Sequence, residues 1–294
     1  MDWQARKDRI PVGDGLTMAY VEEGDGSNVV LLHGNPTSSF LWRDVIPPLV
    51  ADGYRCVAPD LIGMGDSDRL PDSGPDRYTF AEHARCLDVF LDEVLPSDEP
   101  VTLVLHDWGS GLGFHWAHRH SHRVRAIAYL EAIVRPVTWD EWPEAARGIF
   151  QALRSEKGEE LVLERNLFVE RILPASVLRE LPDEVMEEYR RPFREPGESR
   201  RPTLTWPRQI PIDGEPADVH AIVSDYSAWL ADSEVPKLFV NADPGSILTG
   251  EQREYCRTWQ NQREITLPGS HFVQEDSGHE LGEAVAGWLA EPTR

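Results

Sequence analysis

The sequence predicts an α/β protein whose mostly parallel central sheet, covered by helices on both faces, is interrupted by a helical insertion. Three observations carry this. Short apolar runs alternate with helical patterns up to about residue 132, the alternation then stops, and strand signals return near residue 237.

In chain order, Asn28–Leu32, Tyr54–Ala58, Val101–Leu105 and Val124–Leu130 read as strands, because buried parallel strands are near-continuous apolar runs ending at turn residues. Between the second and third, Phe80, Leu87, Phe90, Leu91, Val94 and Leu95 recur at helical spacing. They follow Thr79, which with Glu82 forms a capping box, so this segment is a crossover helix. From Ile133 to Ile212 the pattern is helical and rich in Trp, Arg and Glu, broken by prolines such as Pro143, Pro174, Pro182 and Pro202, with no convincing strand. Lys237–Asn241 and Glu264–Leu267 restore the strand signal. Ser277 with Glu280 is expected to cap a last helix that shares Leu281, Val285, Trp288 and Leu289 on one face. The expected organisation is a core built from residues 1–132 and 213–294, with a helical cap at 133–212.

Composition narrows the function. The 294 residues include 51 acidic and 29 basic side chains, a formal net charge of -22 that repels phosphate backbones and anionic lipid surfaces. Nucleic acid and membrane are therefore not expected partners. The first nine residues contain no apolar signal-peptide core, and no stretch is long enough to span a bilayer, so a cytoplasmic protein is expected. Cys56, Cys86 and Cys256 are few and far apart and read as buried thiols. His115, His118, His120 and His122 lie on one helix and its end without the accompanying Cys or carboxylates of a closed site, so no metal is expected.

The chemistry concentrates at strand ends. Asp107, in Leu105-His106-Asp107-Trp108-Gly109, directly follows a strand and precedes Gly and a helix, the setting of a nucleophile elbow, although Leu105 leaves the small-residue pattern half met. The alternative is that Asp107 is simply an N-cap. A second element, His33-Gly34-Asn35-Pro36, follows the strand ending at Leu32, where the α/β-hydrolase fold places an oxyanion-hole loop. A third, His271, follows the last strand, giving the order nucleophile, acid, histidine. Either Glu131 or Asp243, each after a neighbouring strand, could orient it. A carboxylate nucleophile forms an ester with the substrate's carbon, which suits displacement of a halide or opening of an epoxide. Trp108 offers an indole N–H and Asn35 an amide N–H2, donors that are not acids, and these favour halide.

At these residues the sequence resembles the haloalkane dehalogenases, most closely the subfamily of the lindane-pathway enzyme. The likeness runs through His33-Gly34-Asn35-Pro36, Asp60-Leu61-Ile62-Gly63-Met64-Gly65, His106-Asp107-Trp108-Gly109-Ser110, Glu131-Ala132-Ile133, Arg201-Pro202-Thr203-Leu204-Thr205-Trp206-Pro207 and His271-Phe272-Val273-Gln274-Glu275-Asp276. It implies Asp107 as nucleophile, His271 as base and Glu131 as acid. It also implies halide held by the side chains of Asn35 and Trp108, and an oxyanion hole made by the backbone N–H groups of the same two residues. Haloalkane and water would be the substrates and halide a product, with no cofactor, in a monomer or weak homo-oligomer. Trp139, Phe150, Phe168, Ser176, Pro207, Ile247 and Phe272 would line the pocket. Ser176 departs from the large apolar residue common at the tunnel mouth of relatives, implying a wider or wetter entrance. Three rivals share the fold. An epoxide hydrolase needs paired cap tyrosines, whereas residues 133–212 contain only Tyr189; a coelenterazine-type luciferase and an inactive binding module are the others.

Overall fold

The computed structural model describes residues 2–96 and 99–291. Eight strands form one sheet: β1 (Lys7–Pro11), β2 (Thr17–Glu23), β3 (Ser27–Leu32), β4 (Tyr54–Pro59), β5 (Val101–Asp107), β6 (Val124–Ala132), β7 (Lys237–Pro244) and β8 (Gln262–Gly269). Their spatial order is β1-β2-β4-β3-β5-β6-β7-β8. Only the β1–β2 and β2–β4 pairs are antiparallel.

Each strand read from the sequence is present, but β1 and β2 were not anticipated. β1 is charged and largely exposed at the sheet edge, while the apolar stretch of β2, residues 18–21, is only four residues long and bounded by Thr17 and two glutamates. By contrast β5 is buried along its whole length.

The helices are α1 (Ile46–Ala51), α2 (Phe80–Val94), α3 (Trp108–Arg119), α4 (Glu144–Arg154), α5 (Leu173–Ala175), α6 (Asp183–Arg190), α7 (Arg201–Gln209), α8 (Ala217–Asp232), α9 (Gly250–Arg257) and α10 (Val273–Ala290). The capping box of Thr79 and Glu82 opens α2 as expected. A helical start does fall at Ser277, where a kink with non-helical φ -143° and ψ 43° divides Val273–Ala290 into two stretches, but its hydroxyl donates to the Pro268 carbonyl and makes no capping bond. This bond ties the kink to the end of β8.

Helices α4 to α7, with π-helical turns at Glu159–Glu164 and Phe168–Ile172, make up the insertion. A single bridge between Val137 and Ile212 pinches its two ends together. Inside it, buried Arg200 donates to the carbonyls of Leu163, Glu164, Phe193 and Arg194. One guanidinium thereby satisfies four carbonyls at broken helix ends. No described helix is long and apolar enough to cross a membrane.

Candidate active site

Asp107 stands at the junction of β5 and α3 with φ 49° and ψ -127°, a backbone conformation that costs an L-residue energy and persists only where its surroundings hold it. It occupies the N-cap position of α3, but its side chain makes no capping bond there. Two glycines permit this geometry. A Cβ at Gly34 would lie 2.0 Å from Asp107 Oδ1, and one at Gly109 would lie 2.2 Å from the Leu32 carbonyl oxygen. The Ser110 hydroxyl closes the turn, donating to the Asp107 carbonyl and accepting the Ile133 N–H at 2.9 Å.

The carboxylate meets the loop after β3. The Asn35 N–H donates to Asp107 Oδ1 at 2.7 Å, and the Trp108 backbone N–H also bonds the carboxylate. His271 Nε2 lies 3.5 Å from Asp107 Oδ2. Burial alone would raise the carboxyl's pKa, but the hydrogen bond and charge of His271 and the nearby dipoles outweigh it and hold the group below its ordinary range.

Of the two carboxylates that sequence spacing left open, Glu131 meets the imidazole. Its Oε2 lies 3.2 Å from His271 Nδ1. The same carboxylate accepts the N–H groups of Ser246, Ile247 and Leu248 at 3.0, 2.7 and 3.4 Å, which fixes its orientation. Asp243, near the end of β7, is exposed. Burial lowers the His271 pKa, but the bonds and charges of Asp107 and Glu131 prevail and raise it to about 9.

Asn35 and Trp108 are seated by α7 of the cap. Asn35 Nδ2 donates one bond to the Thr203 carbonyl at 3.2 Å, leaving its second N–H. The Trp108 ring stacks on Trp206 at 4.5 Å and 23°, and Trp206 stacks in turn on His83 at 4.2 Å and 25°. Both residues line a cavity of about 430 Å³ between core and cap, with Asp107 and His271 beside them.

Phe150, Phe168, Ser176, Pro207, Ile247 and Phe272 line this cavity as expected. Trp139 does not, and Trp142 takes its place. A turn closed by the Trp142 N–H on the Thr138 carbonyl brings the Trp142 ring against Phe150 at 4.9 Å, while Trp139 lies beside the Arg154 guanidinium. The Ser176 hydroxyl donates to the Ile172 carbonyl at 2.7 Å, so its donor is engaged by helical backbone and the residue gives this part of the cavity room more than polarity. Tyr189 does not line the cavity; its hydroxyl donates to buried Glu275.

Sequence reasoning gave no separate role to two histidines. His106 Nε2 donates to the His271 carbonyl at 2.8 Å, and the two rings lie 4.7 Å apart. His33 Nε2 accepts the Leu61 N–H at 2.9 Å and its Nδ1 donates to the Gly34 carbonyl, bracing the loop that carries Asn35. Burial drives their pKa values down to about 3 and about 4, so both are neutral. Their positions beside Asp107 and Gly34 were the available signal. Among the described residues no group of three His, Cys, Asp or Glu is placed to hold a metal ion.

Comparison with known proteins agrees with this geometry. Residues 28–278 match the family described as the alpha/beta hydrolase fold. A haloalkane dehalogenase of Sphingobium indicum is 56% identical over 94% of this chain and 92% of that protein. One of Mycolicibacterium smegmatis is 51% identical over 95% and 89%. The crystal structure of haloalkane dehalogenase DbeA from Bradyrhizobium elkani superposes with a TM-score of 0.90 at 41% identity, covering 97% of each chain. At such identity over almost its whole length, with an elbow carboxylate, a paired histidine and two flanking N–H donors at one cavity, the chain belongs to the haloalkane dehalogenases.

Proposed function

We propose that the chain hydrolyses haloalkanes to an alcohol and halide through an ester on Asp107. The observation that carries this is the pairing of Asp107 Oδ1 with the Asn35 N–H at 2.7 Å, in an apolar cavity whose other polar groups include the Trp108 and Asn35 side chains. With Oδ1 held there, Oδ2 is the oxygen available to attack carbon. Attack forms the C–O bond, breaks the carbon–halogen bond, and leaves halide against the Trp108 indole N–H and the second Asn35 amide N–H. Both donors stabilise a charge that develops only as the bond breaks.

The ester then presents its carbonyl oxygen to the backbone N–H groups of Asn35 and Trp108, as a tetrahedral intermediate requires. His271 takes a proton from water as the water oxygen adds to the Asp107 carboxyl carbon. The intermediate then collapses, its remaining O–H proton passing to the departing alkoxide oxygen, so the alcohol leaves and the carboxylate is restored. The proton taken from water stays on His271, whose imidazolium Glu131 stabilises from Nδ1.

The test is halide release from chloro-, bromo- and iodoalkanes of several chain lengths. His271→Ala should release one halide per site and accumulate the alkyl-enzyme, because His271 serves only the second step. Release of no halide from any member of the series by the unmodified protein would sink the reading.

A further inference from the structure

The turn carrying His271 is held at three successive residues. Asp276 Oδ2 accepts the Ser270 N–H at 3.0 Å, the His271 carbonyl accepts from His106, and the Phe272 N–H donates to the Ser176 carbonyl at 3.1 Å. Two of these three bonds lead to the cap. Ser176 belongs to it, and the second oxygen of Asp276 accepts the N–H of cap residue Leu178 at 2.8 Å. One half-buried carboxylate therefore joins the residue before His271 to the segment that follows the cavity-lining Ser176.

The neighbouring residue anchors this joint. Buried Glu275 receives Arg43 through both of its oxygens at 2.6 Å, Arg179 of the cap at 2.9 Å, and the Tyr189 hydroxyl. Its charge is thus compensated on both sides of the core–cap boundary, and the start of α10 is fixed. The turn itself, residues 270–272, rests on the three bonds above, of which Asp276 supplies the one at the residue leading into His271.

We propose that Asp276 is a positioning residue for ester hydrolysis: it sets the orientation of the His271 turn and couples it to the segment 176–179, whose first residue lines the cavity. This rests on the reading of His271 as the base of the second step. The imidazole must keep Nδ1 on Glu131 at 3.2 Å and Nε2 toward Asp107 at 3.5 Å. A turn freed at Ser270 loses that alignment, whereas alkylation, which uses Asp107 and the halide donors, does not need it. An amide cannot substitute fully, because it has one acceptor oxygen for two N–H groups.

The experiment is rapid mixing of excess enzyme with 1-bromobutane, with bromide, butanol and the mass of the intact protein followed separately. Wild type, His271→Ala, Asp276→Ala and Asp276→Asn are compared. Asp276→Ala should release bromide within about twofold of the wild-type rate, yet hydrolyse the ester about tenfold more slowly and accumulate alkyl-enzyme, as misplacement of a catalytic group by a fraction of an ångström does. Asp276→Asn should fall between the two, and it carries the test if the alanine variant does not fold. Ester hydrolysis at the wild-type rate in these variants, or an equal loss in both steps, would overturn the proposal while a trapped ester in His271→Ala leaves the role of His271 standing. Absence of trapped ester in His271→Ala would overturn that role and this proposal together.

Discussion

Esterification of Asp107 removes one of the two negative charges that keep His271 protonated, so a proton should leave the enzyme with the halide and not with the alcohol. In the resting site burial opposes the cation, but the bonds and charges of Asp107 and Glu131 raise the imidazole pKa to about 9. At about pH 7.5 such a group is about 97% protonated. The rise from 6.5 to about 9 corresponds to roughly 3 kcal/mol, at about 1.4 kcal/mol per pKa unit. Asp107 contributes both a hydrogen bond and a charge to it, and as an ester it supplies no charge, while burial still disfavours the imidazolium. The pKa then falls from about 9, with Glu131 alone left to oppose burial, and the base shifts toward its neutral form at the step that needs it. The assay is rapid mixing of excess enzyme with a brominated alkane in weak buffer containing a pH indicator, with halide followed in parallel. Close to one proton per site is expected at the rate of the halide burst. Above about pH 9 that early proton should vanish, because His271 starts neutral. A proton appearing at the rate of alcohol formation near pH 7.5 would refute the charge argument.

Three further outcomes are expected. Trp108→Phe removes one halide donor and should slow the halide burst by about two orders of magnitude with little change in ester hydrolysis, measured by rapid quench. Ser176→Leu fills part of the cavity wall and should lower kcat/KM for branched or cyclic bromoalkanes well below that for 1-bromobutane, with kcat for the small substrate nearly kept. His33, His83 and His106 are buried, with pKa values pushed down by desolvation to about 4, 3 and 3, so the unfolded chain takes up protons below pH 6.5 that the fold excludes. Stability must therefore fall as pH drops from 6.5 toward 4, by as much as roughly 4 kcal/mol per pH unit for three groups. Neither ring nitrogen of His83 has a hydrogen-bond partner among the described residues. His83→Phe should therefore flatten the fall in Tm on acidification by about a third.

The central strands and the elbow were legible because a strand buried on both faces has to be an apolar run, and because Asp107 interrupts that run at its end. The choice between Glu131 and Asp243 was not. It depends on how each strand finishes: a register shift between β5 and β6 and a φ of 40° at Glu131 direct that carboxylate into the N–H groups of residues 246–248, while β7 continues past Asp243 to Pro244. Such details arise from pairing with neighbouring strands and leave no mark on spacing. Trp139 and Trp142 pose the same difficulty on a smaller scale, since a one-turn offset decides which indole faces the cavity. The edge strand β1 was hidden for the opposite reason, because a strand solvated at the sheet edge needs few apolar residues, and β2 beside it carries only a four-residue apolar stretch.

The helix α7 bears on how such an enzyme can diverge. Since the insertion leaves and re-enters the core beside one bridge, Val137 to Ile212, it could be exchanged as a block with two neighbouring splice points. Yet that block brings the Thr203 carbonyl that holds Asn35 and the Trp206 ring that backs Trp108. With Asn35 and Trp108 holding the halide as proposed, a transplanted lid would alter the leaving-group cradle along with the pocket walls, so substrate range and leaving-group preference would be inherited together.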